Sequence, residues 1–348
     1  MKIAIIGVGL YGAYIANELS KNNKFHLDLY DKRKKILDST AKKNQYRLHT
    51  GYHYPRSKET ILQTINGFKI FKKKFNKYLY FPKKNYYLIH KNSWISFSKY
   101  QKLFNNLNLK FSTLNKNKYS KYLNTKEISG GINTKEGVIL IDKLILHLKK
   151  QLKNKTNIYL NHNIVKIDNS KGLVFFDKNK FKKYDYIINT TYENPNLGLT
   201  KNKFKLKYEL TGMVKISKPF KEQLGITIMD GPFCSLYPQN KTICTVSSVK
   251  YTPIFKSNSF KKINEKVKIL KKNKVKNKIL KHVSKYIKFD NKNMKSDLIL
   301  SHKVKLRNDK NDLRTSSIKY ENKLISILCG KIDAVPVIFN EIKKKIYK

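Results

Sequence analysis

Apolar positions along the chain follow two periods. Ile3-Ala4-Ile5-Ile6 is an unbroken run of the kind a short buried strand shows, and Phe25-His26-Leu27-Asp28-Leu29-Tyr30 alternates with period two. Between them, Ala13 to Leu19 carries a helical pattern. Ile61, Ile65, Phe68 and Phe71 form a helical stripe within 61–78, and 94–107, 335–346 and the face Leu144, Ile145, Leu148 and Leu152 read the same way. Strands are expected at 85–90, 157–160, 164–167, 184–191 and 324–328, with a hairpin at 172–176. From Phe204 to about Leu306 alternation takes over, in 208–216, 226–232, 234–238 and 242–251, interrupted by one very basic helical stretch near 263–287.

This order predicts an α/β chain: a Rossmann-like domain with a second, α+β domain built on an antiparallel sheet. At 348 residues the length suits two domains. The pattern changes character near residue 78, returns at 136, and returns again near the end. The expected division is 1–77, 136–200 and 310–348 for a discontinuous dinucleotide-binding domain, and 78–135 with 201–309 for a substrate or cap domain.

The join between the first strand and the first helix carries the chemistry. Gly7, Gly9 and Gly12 stand in the spacing G-x-G-x-x-G, with Leu10 and Tyr11 inside the turn. The first glycine permits the tight turn, the second lets the backbone approach a pyrophosphate and the third lets helix and strand pack closely, while the phosphate charge sits on the helix N-terminus. Asp31 ends the next strand, where a carboxylate accepts hydrogen bonds from ribose hydroxyls. Lys32 and Val165 are counted with it as nucleotide contacts.

Composition qualifies this only slightly. Lys and Arg number 75 against 23 Asp and Glu, a net charge of +52. A nucleic-acid or membrane-surface protein would concentrate such charge on one face, whereas here lysine is spread over the whole chain, so no specific nucleic-acid partner is expected. The basic stretch near 263–287 leaves peripheral membrane contact as an alternative to a solvated helix face. Because lysine is the default cation, Arg47, Arg56 and Arg314 mark places where planar, two-pronged geometry matters. Cys234, Cys244 and Cys329 form no C-x-x-C pair, and the first strand begins with no signal-peptide pattern, which points to a reducing cytoplasm. His49 and His53 lack the acidic or cysteine neighbours of a metal site, so no metal is expected.

Several segments resemble one superfamily. Asn44…His49-x-Gly51-x-x-Tyr54-Pro55 resembles the N-S-G-x-x-H-x-G-x-x-Y-P segment of L-2-hydroxyglutarate oxidases, and its H-x-G-x-x-Y core resembles the flavin-contacting segment of FAD-dependent glycerol-3-phosphate dehydrogenases. Gly137 to Leu148 is similar to the G-x-I-D-x-x-x-L-x-x-x-L segment, and Asp185 to Thr191 to the D-x-V-(I/V)-N-A-(A/T)-G strand, of the same D-amino-acid-oxidase-like flavoproteins. Two departures stand out: Gln45-Tyr46 replaces the Ser-Gly pair, and Tyr192 stands where the last pattern has glycine. The resemblance implies FAD as cofactor, with Ser39 and Thr40 on phosphate, Asn44, Arg47 and His49 along the cofactor, and Thr190 and Thr191 abutting the dinucleotide. It also implies that the turn Gly330, Lys331, Ile332 and Asp333 aims a helix at the flavin, where Lys331 offsets negative charge.

The chemistry implied is oxidation of a C–H beside an O–H or N–H in a small, anionic substrate: a hydroxy acid, an amine or amino acid, or a carbohydrate derivative. His53 is favoured as proton acceptor over His49, Arg56 or Arg314 as carboxylate clamp, and Tyr54 or Tyr251 as hydroxyl guide. Three alternatives stand beside it. Ala16 to Leu19 with Asp31-Lys32-Arg33 also resembles the flavin-dependent UDP-galactopyranose mutases, the glycine motif suits an NAD(P)-dependent dehydrogenase, and the charge suits a basic nucleic-acid-binding protein. Oligomeric state is not legible.

Overall fold

The computed structural model describes residues 1–152, 155–289, 294–307 and 315–347. The first strand, Lys2–Ile6, lies at the centre of a six-stranded sheet. On one side of it come His26–Asp31 and Asn157–Leu160, on the other Tyr186–Asn189, Leu324–Leu328 and the edge strand Ser317–Glu321. All pairings are parallel except that of the edge strand. Both faces are covered, as a parallel sheet requires. Ile3, Ile5 and Leu29 pack on one face against the helices Leu10–Leu19, Ile141–Leu152 and Val335–Ile346. Ala4, Ile6 and Ile187 pack on the other under Val174 of a small three-stranded sheet made of Lys166–Asp168, Leu173–Phe175 and Phe181–Lys183.

The helix Lys58–Phe75 begins at Ser57, whose hydroxyl accepts from Thr60 N at 3.2 Å, and ends in three lysines that suit its C-terminal dipole. It lies across the start of the last helix, and Gly67 makes that approach possible. A Cβ there would lie 2.6 Å from the carbonyl oxygen of Asp333.

A nine-stranded sheet forms the other half of the molecule, with Leu206–Ser217 paired along its length to Ser296–Leu306. Lys84–His90 joins it beside Leu224–Met229, and those two strands run parallel. The sheet is therefore mixed, not antiparallel as the alternation alone suggests, because the excursion at 84–133 enters it from a different part of the chain. Its two faces differ sharply in polarity. Val214, Ile216, Ile226, Leu236 and Val246 pack against Ile279, Val283 and Ile287, whereas Thr227, Ser235, Tyr237, Thr245 and Ser247 lie at the alternate positions.

The basic stretch is two helices, Phe260–Lys268 and Lys272–Val283, not one. In a single helix Ile263 and Ile279 would point about 160° apart at 3.6 residues per turn. The break lets both be buried, Ile263 against the strand cluster of Leu206 and Leu210 and Ile279 against the apolar sheet face. No helix among the described residues is long and apolar enough to cross a membrane.

Candidate active site

The opening turn is shaped by its glycines. Gly7 has φ +92°, a Cβ on it would lie 2.9 Å from Thr190 O, and one on Gly12 would lie 2.1 Å from Gly7 O. The helix that follows starts at Gly9 with no side-chain cap, leaving its first N–H groups for another acceptor. Across from Gly9 the Ser39 hydroxyl is buried without a hydrogen-bond partner, 3.5 Å from where a Gly9 Cβ would be. Thr190 Oγ1 donates within the turn, to Ile6 O at 3.0 Å or Gly7 O at 2.5 Å, and Thr191 Oγ1 to Asn189 Oδ1 at 2.8 Å or Asn194 O at 2.8 Å.

Asp31 is buried at the end of its strand, where its carboxylate accepts Val8 N at 2.8 Å and Arg33 N at 2.9 Å. It lines a cleft with Gly7, Lys32, Arg33, Ile164 and Glu193. Glu193 spans the mouth, pairing with Lys32 at 2.5 Å and Arg33 at 3.0 Å, and lies 3.7 Å from His302. Ile164 rather than Val165 faces this cleft. The Val165 side chain is exposed and its N–H pairs with Phe175 O. Thr40 starts a short 3₁₀ turn, and Asn44, exposed, accepts Gln45 N. Leu10 is buried, and Tyr11 ties the first helix to the far end of the chain by bonding Ser316 Oγ and Lys331 O.

The second gathering joins the segment 44–56 to residues from three distant places. His49 and His53 sit with ring centres 5.0 Å apart, although Gly51 and Pro55 argue against a helix through this segment, and Tyr54 lies edge-on to both. The Lys331 ammonium lies 3.7 Å over the Tyr54 ring and donates to Thr64 Oγ1. Asp333 is buried, with Oδ2 lacking a hydrogen-bond partner, and burial first, then the charge of Glu136, pushes its pKa up against Lys331 and His49. Arg47 is buried over the Tyr237 ring at 4.0 Å and donates through Nη1 to Thr227 Oγ1 at 2.7 Å, while its Nε and Nη2 find no hydrogen-bond partner. Gln45 bridges to the same polar sheet face through Thr245 at 3.2 Å.

Under these rings lies a carboxylate that the sequence does not single out. Glu136, with its side chain 0% exposed, is 3.5 Å from His49 Nδ1 and accepts Tyr87 OH at 2.7 Å and Thr50 N at 2.9 Å. Burial raises its pKa, but His49, Tyr87 and Thr50 outweigh that and bring it down to about 2. Its one sequence signal is an acid immediately ahead of the run Gly137-Val138-Ile139-Leu140. Tyr87, Thr227 and Tyr237, which alternation presents as ordinary strand residues, belong to the same shell.

Other expected residues lie elsewhere. Arg56 is half exposed, bonded through Nε to Asp230 at 2.7 Å and stacked on Trp94. Tyr251 packs on His282 with ring centres 5.4 Å apart, among the residues covering the apolar face of the large sheet. Arg314 lies outside the described residues.

The parallel sheet with its glycine turn and the large sheet with one polar face give the chain the fold of several solved oxidases. Among solved structures, L-α-glycerophosphate oxidase from Mycoplasma pneumoniae, with FAD bound, superposes with a TM-score of 0.74 over 100% of this chain and 94% of its own, at 17% identity. Glycine oxidase from Geobacillus kaustophilus gives 0.67 over 98% and 93% at 11% identity, and NikD, an amino acid oxidase of nikkomycin biosynthesis, 0.72 over 97% and 91% at 8%. In sequence, the chain is 26% identical over 255 residues to the FAD-dependent monooxygenase FPY4 of Fusarium mangiferae; the match takes in 72% of this chain and 65% of that protein. No family model matches the chain.

Proposed function

We propose that the chain is an FAD-dependent oxidoreductase acting on a small, anionic substrate with a C–H beside an O–H or N–H. The observation that carries this is the close approach of Ser39 to Gly9: a buried, unpartnered hydroxyl lies beside the uncapped start of a helix, the pairing of donors that a diphosphate would take. The whole-chain likeness to FAD-bound glycerophosphate oxidase supports the flavin reading over a nicotinamide one. When bound, FAD would supply the two-electron acceptor for the substrate's hydride.

The chain's own residues do the rest. Gly7, Gly9, Gly12 and Ser39 hold the diphosphate, and Asp31, with lone pairs beyond those given to Val8 and Arg33, takes the ribose hydroxyls. The His49–His53 pair accepts the substrate proton, and Lys331 places positive charge beside it. Arg47, fixed by Thr227 and Tyr237, offers two buried N–H donors to an oxyanion. Arg56, already committed to Asp230, is the weaker clamp.

The test is the absorption spectrum of the purified protein before and after acid precipitation, followed by anaerobic bleaching with a panel of hydroxy acids, amino acids and polyol phosphates. A colourless protein that refuses added FAD ends the proposal. The FPY4 likeness favours a second reading, monooxygenation. Isotopically labelled dioxygen separates the two: label in the organic product supports the monooxygenase, label only in peroxide or water the oxidase.

A further inference from the structure

His49 is enclosed by charged and titratable groups from four parts of the chain. Glu136 faces its Nδ1 at 3.5 Å, His53 lies beside its ring, Arg47 and Lys331 act on it as like charges, and Asp333 completes the shell; Nδ1 itself is buried and makes no hydrogen bond, and the Glu136 beside it accepts Tyr87 OH. Burial makes the imidazolium costly and lowers the His49 pKa, Glu136 opposes that shift, and Lys331 and Arg47 add to it.

Glu136 is held more tightly than any other group in this shell. Tyr87 OH, Thr50 N and Thr50 Oγ1 donate to it at 2.7, 2.9 and 3.3 Å, and Asn85 Nδ2 lies at 3.5 Å. A carboxylate so fully removed from water stays ionised only where donors surround it, and once ionised it orients the nearest N–H that can turn toward it. Thr50 N follows His49 directly in the chain, so the carboxylate fixes the backbone carrying the ring as well as facing the ring itself.

Resting on the flavin-dependent reading above, we propose that Glu136 is a positioning residue that holds His49 with Nδ1–H toward its carboxylate, so that Nε2 takes the substrate's hydroxyl or amine proton. In that step the O–H or N–H bond breaks and an Nε2–H bond forms. The positive charge this creates sits beside an anion already in place, while the C–H hydrogen leaves with both bonding electrons to the FAD. The proton acceptor is thus His49 rather than His53, the ring favoured on sequence grounds.

Histidine ring ¹⁵N NMR over a pH range tests this on the full chain, FAD-free and FAD-loaded, with the His49 signal identified by its loss in His49→Gln. The wild-type ring is expected as the Nδ1–H tautomer. Glu136→Gln is expected to lose that preference and to lower the His49 pKa by at least about one unit, a tenfold change, while Glu136→Asp, which keeps the charge, holds within about half a unit of wild type. A wild-type His49 protonated on Nε2, or a Glu136→Gln protein that titrates like wild type, overturns the proposal. Should Glu136→Gln not fold, the wild-type tautomer and Glu136→Asp decide by the same criteria. None of these readouts needs turnover, so a protein that never binds FAD would defeat the flavin reading and still report on His49.

Discussion

Two tyrosines sit in backbone conformations that favour glycine. Tyr46 has φ 57° and Tyr192 φ 53°, and both stand where the resembling flavoprotein segments carry Gly. Tyrosine here occupies turns that glycine would enter without a Cβ penalty. Holding a side chain in the left-handed region costs on the order of 1 kcal/mol, and packing offsets it. Tyr192 lies between the parallel sheet and the strand Ser296–Leu306, with its hydroxyl accepting Val304 N at 3.3 Å, and Tyr46 is buried with its hydroxyl donating to Lys42 O. Tyr192→Ala and Tyr192→Gly lose the same packing, so their difference isolates the backbone term. We expect the glycine variant to be the more stable of the two by about 1 kcal/mol in urea unfolding. Equal stability would show that the strain does no more than match the extra unfolded-chain entropy of glycine. Gly12→Ala goes the other way. Its Cβ would meet Gly7 O at 2.1 Å, so a loss of about 1–3 kcal/mol, typical of overpacking, is expected and, on the proposed function, loss of yellow colour on gel filtration with it.

At the scale of elements, two histidines tie helices and strands together in a neutral state. His282, on the helix Lys272–Val283, shares a hydrogen bond of 2.8 Å with Ser248 of the large sheet, and His302 lies on the long strand beside Glu193. Burial, aided by Lys250 and Lys285, lowers the first pKa to about 4. Burial, against Glu193 but with Arg33, Lys43 and Lys32, lowers the second to about 4. The unfolded chain takes up these protons near pH 6.5 and the folded chain does not, so stability is lost as pH falls from about 6.5 to about 4 and is unaffected by these groups above that range. Urea midpoints measured at pH 7 and pH 5 should diverge in the wild type and draw closer in His282→Gln and His302→Gln. An unchanged gap in both variants would rule these rings out as its source. The same scale shows what a sequence reading reaches. The strands flanking the glycine turn, the helix behind Gly137 and the terminal strand and helix are legible because each carries its own period. The strand Ile128–Asn133 is not, since Gly130 and Gly131 interrupt it. Those glycines admit Phe97 and Leu88, whose atoms would lie 2.3 and 2.5 Å from a Cβ. For the same reason the segment 44–56 announces its histidines but not Glu136, whose role is set by what folds around it.

For the molecule as a whole, the charge of +52, carried by lysines along the whole sequence, is a self-repulsion. Raising ionic strength from about 0.01 to 0.15 M shortens the screening length from about 30 to 8 Å, so the melting temperature should rise with salt. A fall would mean that the few ion pairs, such as those of Glu193, outweigh the repulsion. On the proposed function, FAD would add a second stabilisation by mass action, about 2.7 kcal/mol when the ligand exceeds its dissociation constant a hundredfold. Stripping the cofactor should therefore lower the melting point, and returning it should restore the original value.

The order of strands in the parallel sheet bears on how the protein is made. Lys2–Ile6 pairs with nearby His26–Asp31 on one side, whereas on the other it meets Tyr186–Asn189, which in turn meets Leu324–Leu328, so one half of the sheet is local and the other waits for distant segments. The opening glycine turn is held locally by Tyr30 and Asp31, through Gly7 N and Val8 N, and gains Thr190 and the Tyr11 bond to the carbonyl of Lys331 only when those distant segments are in place. A chain truncated before about residue 330 should be protease-sensitive on the 186–189 side of the parallel sheet, and restoring the segment through Ile346 should protect that side.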